Sequence, residues 1–148
     1  MNVQTFTLLV SAPRDTVFNF LADIENLPRW ATGFCERLYL ERGRWKALTS
    51  QGELYCDLEA GNSTGVIDLR TGPSVDRLAV LPMRVVALAP RRTLVTFTFM
   101  AGPEWPVGLA ERDPAVLHAE LTALARRFGG GEVHGPDAVP ALVELGHN

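Results

Sequence analysis

The stretch D-P-A-V-L-H-A-E-L-T-A-L-A-R-R-F, residues 113–128, has the longest amphipathic helix pattern in the chain. Asp113 is placed to cap the free amides of a first helical turn, and Pro114 follows at a position where helices tolerate proline. Apolar side chains then recur at spacings of four, three and four, which predicts one buried stripe. These side chains are Leu117, Leu121, Leu124 and Phe128. Gly129 marks the end of the helix.

Most of the chain before this helix has the pattern of β-strands. Residues 3–10 alternate between apolar and polar positions, and two short helices follow, to residue 22 and over residues 23–30, the second interrupted by Pro28. Turn residues then separate six further predicted strands, at 34–42, 44–49, 53–60, 65–71, 77–89 and 93–101. Short connections require antiparallel neighbours, so we expect an α+β protein in which a seven-stranded sheet packs on the long helix.

The length of 148 residues fits one domain, which we expect to span residues 1–128. Residues 129–148 begin with three glycines and are rich in Gly and Pro, so they are predicted to form a flexible tail.

The composition excludes several classes of function. A net charge of −3 gives no basic surface for nucleic acid, and no segment is apolar enough to insert into a membrane. The N-terminus lacks the pattern of a signal peptide, so we expect a cytoplasmic protein in which Cys35 and Cys56 are free thiols. The His and Cys spacings match no metal motif, and no metal or other cofactor is expected.

Counting across the predicted turns assigns side chains to the two faces of the sheet. A turn about Arg91 places Val85 opposite Phe97 and Met83 opposite Phe99 on an apolar face that should meet the helix. Arg84 then lies on the other face, opposite Thr98.

A turn about Gln51 assigns the next hairpin in the same way. It turns Leu48, Leu54, Cys56 and Leu58 inward. It turns Trp45, Thr49, Tyr55, Asp57 and Glu59 outward. In the strand 34–42 the inward set is Phe34, Glu36, Leu38 and Leu40, so Glu36 is an unusual carboxylate among apolar neighbours.

The order of elements resembles the helix-grip fold of the START-like (SRPBCC) superfamily. The segment V-S-A-P-R-D-T-V-F-N-F-L-A-D-I-E-N-L-P-R-W, residues 10–30, is similar to the opening of that superfamily. The segments T-S-Q-G-E, G-V-I-D and M-R-V-V resemble a branch of unknown function related to polyketide cyclases and dehydrases. The resemblance covers residues 3–128. Asp68 is followed by Leu69, whereas the pattern of that branch has histidine after this aspartate.

The resemblance implies a curved sheet that grips the long helix, with a ligand cavity between them. Proteins of this superfamily bind lipids, polyketides, hormones or other apolar small molecules, and a few catalyse cyclisation or dehydration. The residues expected to line such a cavity are Trp30, Phe34, Glu36, Leu38, Leu54, Cys56, Leu58, Ile67, Leu69, Met83, Val85, Phe97, Phe99, Leu117 and Leu121.

Three functions are compatible with these patterns. The first is binding or transport of an apolar, lipid-like or polyketide-like molecule. The second is a cyclase or dehydratase in which a buried Glu36 with a raised pKa serves as acid or base. The third is a protein-interaction module that uses an outer patch around Trp45 and Tyr55. Apolar side chains on the outer face also predict a homodimer.

Overall fold

The structure is a computed structural model, and it describes residues 1–103, 106 and 113–136. One sheet contains eight strands in the order β2-β3-β4-β5-β6-β7-β1-β8. The strands are β1 (Asn2–Val10), β2 (Arg37–Glu41), β3 (Arg44–Thr49), β4 (Gly52–Gly61), β5 (Val66–Ser74), β6 (Arg77–Ala89), β7 (Arg92–Ala101) and β8 (Gly131–His134). The helices are α1 (Arg14–Leu21), α2 (Leu27–Trp30) and α3 (Pro114–Arg127), with a 3-10 turn at Ile24–Asn26. The α+β class and the single large antiparallel sheet are confirmed.

One face of the sheet carries the core, and we call it the inner face. The core cluster combines inner-face side chains of the strands with the buried sides of all three helices. Val17, Phe18 and Leu21 of α1 are buried there, as the helical spacing predicts. The opposite side is the outer face, and its side chains are half-buried or exposed.

Helix α3 has the cap and the stripe that its sequence predicts. The Asp113 carboxylate accepts a hydrogen bond of 2.7 Å from the amide of Ala115. The four stripe residues, Leu117, Leu121, Leu124 and Phe128, are all buried. Aromatic rings join the helices to the sheet, because Trp30 of α2 lies with its ring centre 5.9 Å from that of Phe97 on β7.

The β6–β7 hairpin has the predicted faces but a different register. Met83 is opposite Phe97 and Val85 is opposite Val95, so the predicted pairs are displaced by two residues. An irregularity between Ala87 and Ala89 accompanies the displacement. A shift of two residues preserves the alternation of a strand, so the apolar face still meets the core and Arg84 still lies outside.

The register of the β3–β4 hairpin differs from the prediction by one residue, and this shift exchanges the inner and outer faces of β3. Thr49 pairs with Gly52 and Ala47 pairs with Leu54. The hydroxyl of Thr49 closes the turn by donating to the carbonyl of Gly52 at 2.7 Å. The predicted faces of β3 are therefore wrong: Trp45 and Thr49 lie on the inner face, and Leu48 lies on the outer face.

The predicted strand 34–42 begins later than expected. Phe34 and Cys35 are both buried in the turn that follows α2, and β2 starts only at Arg37. Glu36 lies in the bend before β2 and is exposed, so the expected buried carboxylate is wrong. Leu40 also differs, since it is 58% exposed at the uncovered edge of the sheet.

The eighth strand was not predicted. After α3 the chain turns through Gly129 and Gly130, both with positive φ, and Gly131–His134 pairs with β1. Glycine adopts this backbone conformation without steric cost, so Gly129 and Gly130 serve as a turn into a strand. The predicted flexible tail stays a prediction for residues 137–148, which lie outside the described residues.

Candidate functional site

The residues expected to line a cavity lie together, but at the centre they are packed against one another. Most of them belong to the single buried core cluster, while Leu38 and Leu58 are half-buried. Ile67, Met83 and Phe97 have 0% exposure. A side chain without accessible surface borders no void that could hold a water molecule. A ligand would therefore bind beside these three residues rather than against them.

An open groove lies along α3, on the side that faces the turn after α2. The groove has a volume of about 400 Å³. Its lining is Thr32, Gly33, Ala115, Val116, Ala119, Glu120 and Ala123. The three alanines are four residues apart, so they form one row on the helix surface. Because alanine side chains are short, the row leaves a channel between the helix and the turn. We call this channel the helix groove.

Glu120 is the charged residue at the edge of the helix groove. It is only 8% exposed, and its carboxylate accepts a hydrogen bond of 2.5 Å from the amide of Gly33. This bond fixes the turn after α2 to the middle of α3. Sequence reasoning missed Glu120 and chose Glu36 instead. The available signal was its position one residue before Leu121, at the border of the buried stripe.

The inner face is also incompletely covered near its β2 edge. Leu38 and Leu40 of β2 lie on this face together with Trp45 of β3. Leu40 and Trp45 are directly opposite each other in the strand pair. Leu38 and Trp45 are half-buried and pack against the core. The proposed outer patch around Trp45 and Tyr55 is therefore wrong, because the two rings lie on opposite faces of the sheet.

A smaller pocket of about 130 Å³ lies where β3 meets β4 and the β5–β6 turn. It is lined by Gly43, Arg44, Trp45, Tyr55, Cys56, Asp57, Val75 and Leu78. Two of its polar side chains contact residues outside the pocket: Asp57 accepts from Arg70 at 2.6 Å, and the Tyr55 ring centre lies 4.9 Å from the Lys46 ammonium. The hydrogen bond that Arg70 donates to Asp57 also raises the pKa of Arg70. Asp57 and Tyr55 are therefore already partnered, which favours a structural role for both.

The two cysteines are free and buried. Burial raises the pKa of Cys35 to about 11 and that of Cys56 to about 12. A thiol with such a pKa is protonated near neutral pH, and it is the thiolate that acts as a nucleophile or binds metal. Both side chains are therefore core residues in this structure.

Within the described residues, no group of three or more His, Cys, Asp or Glu side chains could hold a metal ion. In the same part of the chain, no helix combines the length and the apolar character needed to cross a membrane.

Neither the models of known protein families nor the curated proteins gave a match to the chain. Solved structures do match. A START superfamily protein from Mycobacterium smegmatis is 17% identical, with a TM-score of 0.55, and the match covers 86% of this chain and 98% of that one. The di-domain ARO/CYC protein BexL of the BE-7585A biosynthetic pathway is 23% identical with a TM-score of 0.57. The match covers 85% of this chain but 46% of that protein.

A third similar structure is norcoclaurine synthase from Thalictrum flavum, in complex with dopamine and hydroxybenzaldehyde. It is 13% identical with a TM-score of 0.52, and the match covers 66% of each chain. Identities this low establish the fold and leave the activity open. The resemblance drawn from residues 3–128 is confirmed at that level: the chain has the START-like helix-grip fold.

Proposed function

We propose that this protein binds an apolar small molecule, and that the helix groove is the site. The observation that carries the proposal is an apolar channel of about 400 Å³ beside a buried carboxylate. Ligand sites in proteins are concave, largely apolar and supplied with a few polar groups, and they start at roughly 300 Å³. The helix groove is open to solvent, and its volume and mostly apolar lining agree with the conditions on size and composition.

The chemistry of the lining favours a flat or narrow ligand. Three alanines and Val116 offer a shallow apolar wall with no charged side chain. Glu120 lies beside this wall, where its carboxylate already accepts from Gly33. A ligand hydroxyl that donates to the same carboxylate would be held at one end, while its apolar part lies along the alanines. Similar structures named for aromatase/cyclase activity, or solved with small aromatic molecules, support a ligand of this kind.

The catalytic alternative loses the residue that the sequence assigned to it, and the buried carboxylate that the structure has, Glu120, already accepts from the amide of Gly33. It depended on a carboxylate buried among apolar side chains, and Glu36 is exposed. We therefore propose binding rather than catalysis.

Titration with the neutral apolar dye Nile red tests this proposal. Val116 and Val86 form a matched pair, because each is 44% exposed while only Val116 lines the helix groove. Val116 is the third residue of α3, where an acidic side chain suits the helix dipole, so Val116→Asp should fold normally. We expect the wild type and Val86→Asp to bind the dye with equal affinity.

Val116→Asp should bind Nile red at least about tenfold more weakly, because an ionised group must be desolvated against the ligand. Circular dichroism of each variant serves as the folding control. If Val116→Asp binds as tightly as the wild type, the helix groove is not the site.

A further inference from the structure

The outer-face side chains of β7 and β1 follow an order that is the same from either end of the strands. Along β7 the outer residues are, in order, Leu94, Thr96, Thr98 and Met100. Their partners on β1 are Leu9, Thr7, Thr5 and Val3. Two apolar rows thus enclose two threonine rows. A surface with this order is complementary to a second copy of itself related by a two-fold rotation.

The two-fold axis that superposes the rows has a defined orientation relative to the strands. It lies between two stacked sheets, runs across the strands and passes between the two threonine rows. The rotation lays the Leu9–Leu94 row of one copy on the Val3–Met100 row of the other. The threonine rows then face each other, where hydroxyl groups can act as both donors and acceptors.

Two charges on the neighbouring strands obey the same symmetry. Arg84 of β6 is aligned with Thr96, on one side of the axis. Asp68 of β5 is opposite Pro82, two residues along β6, and so lies on the other side. Rotation therefore carries Arg84 of one copy over Pro82 of the second copy, whose neighbour on β5 is Asp68. A long arginine side chain can reach across one strand spacing of about 4.8 Å, and the contact occurs twice.

Together with Asp57, the Asp68 carboxylate contributes to the raised pKa of Arg70 on the same strand, but within the described residues it is not held in a close ion pair. Arg84 is exposed, and neither it nor Asp68 forms an ion pair with another residue in the described part of the chain. The helices pack on the inner face, so the surrounding apolar side chains stay accessible. Val3 is 55% exposed and Val86, at the end of the same surface, is 44% exposed.

We infer that the outer face of β5, β6, β7 and β1 is the interface of a homodimer, formed by a second copy about this two-fold axis. Four strands at about 4.8 Å and four rows of side chains cover roughly 500 Å² per copy. The total of roughly 1,000 Å² is at the lower limit of specific interfaces, so the dimer should be reversible at micromolar concentration.

Charge reversal tests this interface. Light scattering of the wild type at concentrations well above micromolar should approach twice the chain mass of 16.2 kDa. Arg84→Glu and Asp68→Arg should each raise the dissociation constant at least about tenfold, because like charges then meet twice. The double variant, Arg84→Glu with Asp68→Arg, should recover most of the affinity. Arg91→Glu, in the exposed β6–β7 turn, removes the same charge elsewhere and should leave the dimer intact.

A monomeric wild type overturns the inference. A dimer that is insensitive to Arg84→Glu also overturns it, since the two copies would then meet through another surface. These outcomes are separate from the ligand proposal, because Arg84 and Asp68 lie on the opposite face of the sheet from α3 and do not line the helix groove.

Discussion

The inner and outer faces of the sheet use the same strands but hold their side chains in different ways. Inner residues such as Phe97 are enclosed by helices and by other strands. Outer residues such as Arg84 contact only their neighbours on the same face. Burial makes the inner face responsible for stability, whereas exposure leaves the outer face free for assembly. Substitutions on the two faces should therefore affect different measurements.

The largest effect should come from Leu121→Ala, at the centre of the contact between α3 and the core. We expect a loss of about 2–5 kcal/mol in the free energy of unfolding, because the substitution leaves a cavity in a packed region. Arg84→Ala, on the outer face, should cost less than about 0.5 kcal/mol. Urea denaturation measures both. Equal losses would show that the inner and outer faces are wrongly assigned.

A smaller effect should separate two glutamates that the sequence does not distinguish. Glu120→Ala removes a hydrogen bond to a charged group that joins α3 to the turn after α2, and should destabilise the protein by about 1–3 kcal/mol. Glu36→Ala, at an exposed bend, should change the stability by less than about 0.5 kcal/mol. Glu120→Gln retains an acceptor oxygen and should recover part of the loss. A loss in Glu36→Ala as large as that in Glu120→Ala would contradict the placement of the two carboxylates.

The smallest effect concerns the buried thiols at alkaline pH. The pKa of Cys56 is raised from 9.0 to about 12 by burial, so above pH 9 the unfolded chain loses this proton while the folded chain retains it. Stability contributed by the neutral thiol is present below pH 9 and is lost as the pH rises towards 12. Ionisation of each of these thiols in the unfolded chain should lower the free energy of unfolding by about 1 kcal/mol near pH 10. Cys56→Ala should flatten the decline measured between about pH 8 and pH 10. An unchanged slope would show that Cys56 ionises normally.

The sequence was sufficient for the architecture because the fold depends on repeated patterns. The α3 stripe and the alternation in β6 and β7 each involve several residues, so a single register error did not change which face is buried. Trp45 shows the limit of this reasoning. Its face depends on one turn, and the move of the turn centre from Gln51 to the Ser50–Gln51 bond reversed it.

The candidate site was less accessible to sequence reasoning. The bond between Glu120 and Gly33 joins positions 87 residues apart, and neither position has a local signal for the contact. Glu36 was assigned to the interior by extending the alternation of β2 beyond its true start at Arg37. Strand ends and long-range hydrogen bonds are set by tertiary packing, which periodicity does not describe.

The most direct test of the proposed ligand site is a nuclear magnetic resonance titration of isotope-labelled protein with Nile red. We predict that the amide signals that move most belong to residues 32–33 and 115–123, which border the helix groove. The signals of outer-face residues of β7, such as Thr96 and Thr98, should stay in place. Shifts concentrated on the outer face, or shifts absent from α3 and its facing turn, would contradict the assignment of the helix groove as the binding site.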